Sequence, residues 1–153
     1  MTDELLDKFA DVLKTALQLQ LVSFPEDDTI KSDFAPLKPV YRVVRRDSNE
    51  SLSIRIDDFW SHIERYKSGE KIKGVGSESE RDIKYYSCSF FDNVKSLKRI
   101  MHLPKKNKYI IIGSINQENG VVKIDRESGH IHLWLFRNNM IFTQFSNYKD
   151  GDG

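Results

Sequence analysis

Two histidines separated by one residue are the part of this sequence whose residue types and spacing come nearest to a chemical site. They lie in the run His-Ile-His-Leu-Trp-Leu-Phe at residues 130–136. Because side chains alternate between the two faces of a β-strand, a strand here would place His130, His132 and Trp134 on one face. Two imidazoles on one face can bind one metal ion, and Asp125 is the nearest carboxylate suited to act as a third ligand.

The alternative for these histidines is a structural role at a sheet edge or beneath a helix. A catalytic zinc ion ordinarily takes three protein ligands, and the sequence contains no H-E-x-x-H motif that would strengthen a metal site. We therefore predict that the protein holds no metal and no other cofactor. A metal-dependent enzyme built on His130, His132 and Asp125 is kept as an alternative.

Other catalytic groups find little support in the sequence. Cys88, the only cysteine, lies between two serines in a predicted strand and lacks the glycine-flanked elbow of a nucleophile. Gly74 and Gly76 are not placed between a strand and a helix, as a phosphate-binding loop requires. The paired carboxylates at 27–28, 57–58 and 78/80 lie in polar segments, where solvation keeps them ionised. The sequence thus predicts a binding protein that is not an enzyme.

Basic residues form two local clusters that could contact nucleic acid. The net charge is only +1, so no overall field attracts a polyanion, and we interpret the helical cluster as a solvated surface. Nucleic-acid binding is kept as a second alternative. The first cluster contains Tyr41, Arg42, Arg45 and Arg46, and the second contains Lys95, Lys98, Arg99, Lys105, Lys106 and Lys108.

Periodic apolar residues predict the elements that position these groups. Spacings of three and four predict helices, and alternation between short turn sequences predicts strands. The predicted helices span 3–20, 57–68 and 90–103. The predicted strands span 40–46 and 51–56, paired as a hairpin, then 83–89, and finally 109–114, 121–125, 130–136 and 140–145. The whole chain, residues 1–153, is therefore expected to be a single α+β domain with an N-terminal helix, a short hairpin, two further helices and a C-terminal antiparallel β-meander.

The most polar and glycine-rich stretch of the chain, residues 67–82, is predicted to be a mobile loop and a contact surface. Its acidic residues Glu78, Glu80 and Asp82, together with His132 and Trp134 on the sheet face, are the predicted protein-binding residues. For Trp134 the alternative is a place in the core.

The sequence also bears on the compartment. No stretch approaches the roughly 20 apolar residues that span a bilayer, and the acidic, amphipathic start of the chain is unlike a secretory signal. With one cysteine there is no intramolecular disulfide. A cytoplasmic protein without a membrane partner is expected, and its oligomeric state is left open.

Residues 111–134 resemble the central hairpins of the SUKH superfamily. Gly113, Gly120, Asp125 and Gly129 match, in order, its pattern of an Ile-Gly step, a polar glycine turn, an apolar strand that ends in Asp, and a second turn glycine. The sequence Phe-Pro-Glu-Asp at residues 24–27 is similar to the leucine-proline-acidic step that follows the first helix in that family. Bacterial members commonly act as immunity proteins, which bind and neutralise a cognate polymorphic or contact-dependent toxin. The resemblance therefore implies a toxin domain as partner and requires no catalytic residues.

Overall fold

The computed structural model describes residues 1–46, 53–101 and 108–149. Over these residues it shows an α+β fold, as predicted, in which four α-helices accompany a seven-stranded antiparallel sheet. The α-helices are α1 (Asp3–Lys8), α2 (Asp11–Gln18), α3 (His62–Lys67) and α4 (Val94–Met101). The strands are β1 (Ile30–Lys31), β2 (Leu37–Arg45), β3 (Cys88–Phe91), β4 (Lys108–Ile115), β5 (Gly120–Asp125), β6 (His130–Leu135) and β7 (Phe145–Asn147). Short 3-10 helices occupy Ile56–Phe59, Ser77–Arg81, Ile83–Tyr86 and Ile141–Gln144.

The order of strands in the sheet is β1-β5-β6-β3-β2-β4-β7. The predicted hairpin of β5 and β6 is present, with Val122 opposite Leu133. The C-terminal strands do not form a consecutive meander, however, because β3 and β2 lie between β6 and β4. Alternation of apolar residues indicates a strand but not its neighbour, so the sequence pattern could not reveal this insertion.

The sheet must curve between β5 and β4, because the segment that connects these two strands is short. Five residue steps, from Ile115 to Gly120, reach at most about 18 Å. Four strand spacings in a flat sheet, the separation of β4 from β5 in this strand order, would total about 19 Å. Curvature lets side chains from β2 through β7 meet in one core with Phe59 and Ile141. Helices α1 and α2 cover a second core on Trp134, Val121 and Ile63.

The predicted N-terminal helix is interrupted at Phe9 and Ala10. Phe9 is fully buried and forms a β-bridge with Phe136, while the Ala10 amide donates to the Leu135 carbonyl at 3.2 Å. The Phe9 ring lies 5.6 Å from that of Phe24. Pairing with the end of β6 therefore replaces a helical turn, and one long helix becomes α1 and α2.

The predicted hairpin of 40–46 with 51–56 is wrong where the structure describes it. Strand β2 pairs with β4 along its length and with β3 only at Tyr41, opposite Phe91. Ser53–Arg55 forms no strand, and residues 51–52 lie outside the described part of the chain. The carboxylate of Asp58 accepts a hydrogen bond from the Arg55 amide at 2.8 Å, which closes this segment into the 3-10 helix Ile56–Phe59.

Three other predicted elements begin later than expected. The helix predicted from residue 57 starts after Ser61, the strand predicted from 83 follows a 3-10 helix, and the strand predicted from 140 is confined to β7. The helix predicted over 90–103 is α4, and residues 102–103 lie outside the described ranges. Gly69, which follows the C-cap of α3, has a φ of 100°, a conformation that suits glycine.

Helix α3 depends on a reciprocal cap at its first turn. The Ser61 hydroxyl accepts from the Glu64 amide at 3.2 Å, and the Glu64 carboxylate accepts from the Ser61 amide at 3.1 Å. We expect Ser61→Ala to lower the free energy of unfolding by about 1 kcal/mol, because the Glu64 amide loses its acceptor. Urea denaturation measures this, and an unchanged midpoint would contradict the role of the cap.

Candidate functional site

The two histidines lie on one sheet face with aromatic neighbours, as the alternation predicts. Successive ring centroids are 4.8 Å apart from Phe91 to His130, 4.1 Å from His130 to His132, and 6.0 Å from His132 to Trp134. We call these four side chains the histidine column. The rings of Phe91 and His130 are nearly parallel, at 11°.

Both imidazoles favour the neutral form. Burial lowers the pKa of His132 to about 4, and the nearby His130, Lys123 and Lys84 act in the same direction. Burial also lowers the pKa of His130, against the opposing effect of Asp125. His132 Nδ1 lies 3.1 Å from the Ser87 hydroxyl, whereas His130 Nε2 is buried and has no hydrogen-bond partner among the described residues.

Asp125, the predicted third ligand, is engaged in the turn between β5 and β6. Its carboxylate accepts from the amides of Glu127 at 3.1 Å and Ser128 at 3.4 Å. Hydrogen bonds from the Ser128 side chain first, and then from the Ser128 and Glu127 amides, lower the pKa of Asp125. Within the described residues, the structure brings together no group of three or more His, Cys, Asp or Glu side chains able to hold a metal ion.

Trp134 belongs to the core and is not a surface contact residue. Its side chain is only 2% exposed, its indole Nε1 donates to the Ile83 carbonyl at 2.9 Å, and its ring packs edge-on against Phe24 at 5.1 Å. Helices α1 and α2 cover this end of the sheet face. The alternation of apolar and polar residues within one strand cannot show which face a helix covers. The place in the core, which the sequence left as the alternative, is the one observed.

Cys88 is buried, as the sequence predicts for a small apolar residue. Burial raises the pKa of its thiol to about 12. The thiolate, which is the nucleophilic form, is therefore strongly disfavoured at this position.

The predicted acidic contact residues lie in an ordered turn, residues 76–82, which we call the acidic turn. The buried Ser79 hydroxyl accepts from the Gly76 amide at 3.1 Å. The Tyr86 hydroxyl donates to the Glu80 carbonyl at 2.7 Å, and Lys67 Nζ lies 3.1 Å from the Glu80 carboxylate. These contacts fix a segment that the sequence predicts to be a mobile loop.

The three acidic side chains of this turn differ in their surroundings. Glu80 is half-buried against Lys67, and the Asp82 carboxylate accepts from the Lys84 amide at 3.1 Å to cap the next 3-10 helix. Glu78 is exposed to solvent. Glu78 is thus the acidic residue of the turn that is exposed, while Glu80 and Asp82 are partly buried.

A second feature, the arginine cleft, opens where β2 and β3 separate. Its volume is about 230 Å³. It is lined by Arg42 and Arg45 of β2, His62 and Arg65 of α3, Glu70, and apolar side chains that include Ile72, Phe91 and Leu97. The cleft lies next to the histidine column, because Phe91 belongs to both.

Arg42 spans the gap between the two strands at the base of the cleft. Its guanidinium donates to the Ser89 carbonyl at 2.7 Å and to the Asp58 carbonyl at 3.0 Å. Its charged group also lies 5.5 Å from the centre of the Phe90 ring, a cation–π contact. Burial lowers the pKa of Arg42, although a guanidinium stays protonated at physiological pH.

The sequence identifies part of this cleft. Arg42 and Arg45 belong to the first basic cluster, but Tyr41 packs against Tyr148, and Arg46 forms a buried ion pair with Asp58. Two other titratable groups that line the cleft come from α3. His62 and Arg65 are three residues apart and so share a helix face, which is the signal that sequence reasoning missed.

The second basic cluster is only partly described. Lys95, Lys98 and Arg99 lie on α4, Lys108 begins β4, and Lys105 and Lys106 fall outside the described residues.

In the part of the chain that the structure covers, no helix has the length and apolar character needed to cross a bilayer.

Comparison of the chain with known protein families, with curated proteins and with solved structures gives no match in any of the three.

Proposed function

We propose that this chain is an immunity protein of the bacterial cytoplasm, which binds and neutralises a cognate toxin domain. The observation that supports this most directly is the acidic turn, where buried and hydrogen-bonded anchors hold an exposed carboxylate outward. The resemblance of residues 111–134 to the SUKH superfamily supplies the class of partner.

A turn that is already ordered in the free protein is suited to tight binding, because it does not have to become ordered when the partner binds. Immobilising a flexible side chain or loop at an interface costs free energy, and a segment already fixed avoids that cost. The hydrogen bonds of Ser79 and Tyr86 provide this fixation. The expected complementary surface on the toxin is basic, since opposite charges steer association and set specificity.

The direct experiment uses the gene that lies immediately upstream. We expect it to encode a large secreted protein whose C-terminal domain is toxic in the cytoplasm. Coexpression of that domain with this chain should restore growth, and the two should copurify at equal stoichiometry. Growth arrest despite full expression of this chain would refute the proposal.

Glu78→Lys tests the contribution of the acidic turn. Reversing an exposed charge at an interface should weaken binding about fivefold, mainly through a slower association rate. Kinetics measured by biolayer interferometry at low and high salt would show the loss shrinking as salt rises. Glu118→Lys is the matched control, because Glu118 is equally exposed but lies in the turn before β5. Equal losses in the two variants would remove the acidic turn from the interface.

A further inference from the structure

The arginine cleft carries an excess of positive charge. Among its lining residues, three guanidinium groups face the single carboxylate of Glu70, which leaves two positive charges unbalanced when His62 is neutral. Glu70 itself is only loosely paired, with its carboxylate 3.5 Å from Arg65 Nη1. The Asp58 carboxylate, whose charge also acts on Arg42, is bound by Arg46 in a buried ion pair.

Hydrogen bonds hold two of the three guanidinium groups of the cleft in place. Among the described residues, Arg42 donates to neutral carbonyl oxygens alone, and Arg65 donates to the Asp57 carbonyl at 2.8 Å. Neutral acceptors orient a guanidinium without cancelling its charge. For Arg42 and Arg45, no carboxylate of the described residues comes within salt-bridge distance. Burial is the main cause that lowers the pKa of His62. The positive charges of Arg42, Arg65 and Arg45 lower it further.

The volume of the cleft and its lining residues determine which class of ligand it can hold. A water molecule takes up about 30 Å³ in the liquid, so a cleft of about 230 Å³ has room for an oxyanion with several attached atoms. Phe91 and Leu97 supply apolar walls, and arginine forks match the oxygens of phosphate in a bidentate manner. Two excess positive charges balance a dianion, whereas a carboxylate would neutralise only one.

We propose that the arginine cleft binds a phosphate monoester dianion, held by the guanidinium groups of Arg42, Arg45 and Arg65. The site is independent of toxin binding, since neither its residues nor its test involves a partner protein. Free phosphate, a mononucleotide and the phosphorylated end of a nucleic acid share this chemistry, and the experiment separates them.

Isothermal titration calorimetry with inorganic phosphate at pH 7.5 and low ionic strength tests the proposal. We expect one site per chain. Arg45→Gln and Arg65→Gln should each weaken phosphate binding at least about tenfold, because each loses a hydrogen bond between two charged groups. Arg45 is exposed, so its variant is expected to keep its fold, which circular dichroism checks. Arg137→Gln, which removes an exposed arginine just after β6, is the control and should bind phosphate as the parent does.

Further titrations identify the source of the phosphate. Adenosine monophosphate that binds more tightly than inorganic phosphate would assign a mononucleotide. A 5′-phosphorylated oligonucleotide that binds where its unphosphorylated counterpart does not would assign a nucleic-acid end. The proposal is overturned if acetate binds as tightly as phosphate, if millimolar phosphate gives no heat of binding, or if both arginine variants bind as the parent does.

Discussion

Asp58→Asn is expected to lower the free energy of unfolding by about 3–5 kcal/mol, the largest effect of any substitution considered for this chain. Asp58 and Arg46 form a buried bidentate ion pair, with side chains only 4% and 2% exposed. Asparagine keeps the shape of the side chain but removes the negative charge that lies against the buried guanidinium of Arg46. Urea denaturation monitored by tryptophan fluorescence measures the loss.

Asp57→Asn provides the matched control for this prediction. Asp57 is the preceding residue, but its side chain is 41% exposed and pairs with Arg55 at the surface. Surface pairs contribute about 0–1 kcal/mol, so this variant should unfold close to the parent. Replacing the buried pair together, Arg46→Met with Asp58→Leu, should cost less than Asp58→Asn alone, because no unpaired charge remains. Equal midpoints for Asp58→Asn and Asp57→Asn would show that the buried pair does not stabilise the fold.

Lowering the pH is expected to destabilise the fold through His132 by an amount on the order of 1–2 kcal/mol, because solvent screens the charge of this partly exposed imidazole. The pKa of His132 is lowered to about 4 in the folded protein. A group with a depressed basic pKa binds protons preferentially when unfolded. Its stabilising contribution is therefore complete above about pH 6.5, the ordinary histidine value, and is lost as the pH falls towards 4.

Denaturation curves at pH 7.5 and pH 4.5 check this dependence. His132→Phe keeps an aromatic ring in the histidine column but cannot bind a proton, so its stability should fall less between the two values. Some dependence will remain in that variant, because burial also lowers the pKa of His130. An identical loss in parent and variant would exclude His132 as the titrating group.

Local patterns in the sequence predict part of the local structure of this chain. The hairpin of β5 and β6 follows from alternation and a turn glycine, and Gly129 has the positive φ of 74° that such a turn uses. The break at Phe9 could not be predicted in the same way. It depends on Phe136, which is distant in sequence, and tertiary pairing overrides helical periodicity there.

The glycines that carry the family resemblance have structural roles. A side chain at Gly113 would collide with the Gln144 carbonyl and the Phe145 ring, and one at Gly120 would collide with the Trp134 carbonyl. These positions need glycine because neighbouring backbone approaches closely. The shared pattern therefore describes how this sheet is assembled, which explains why it does not point to contact residues.

Prediction of the candidate sites failed mainly where distant segments converge. Glu78 is exposed, as a contact residue must be, but the anchors that hold its turn come from Tyr86 and Lys67. The arginine cleft is formed by residues of β2, which ends at Arg45, and of α3, which begins at His62. The sequence shows that β2 carries two arginines, but only the folded structure shows that Arg65 of α3 lies beside them.

The outermost strands of the sheet are very short. Strand β1 has two residues and β7 has three, and β1 ends in a lysine. An exposed edge strand can pair with a strand of another molecule. Short edge strands and charged side chains along the edge hinder such pairing. Copies of this chain are therefore expected to have little tendency to pair edge to edge into fibrils, even at high concentration.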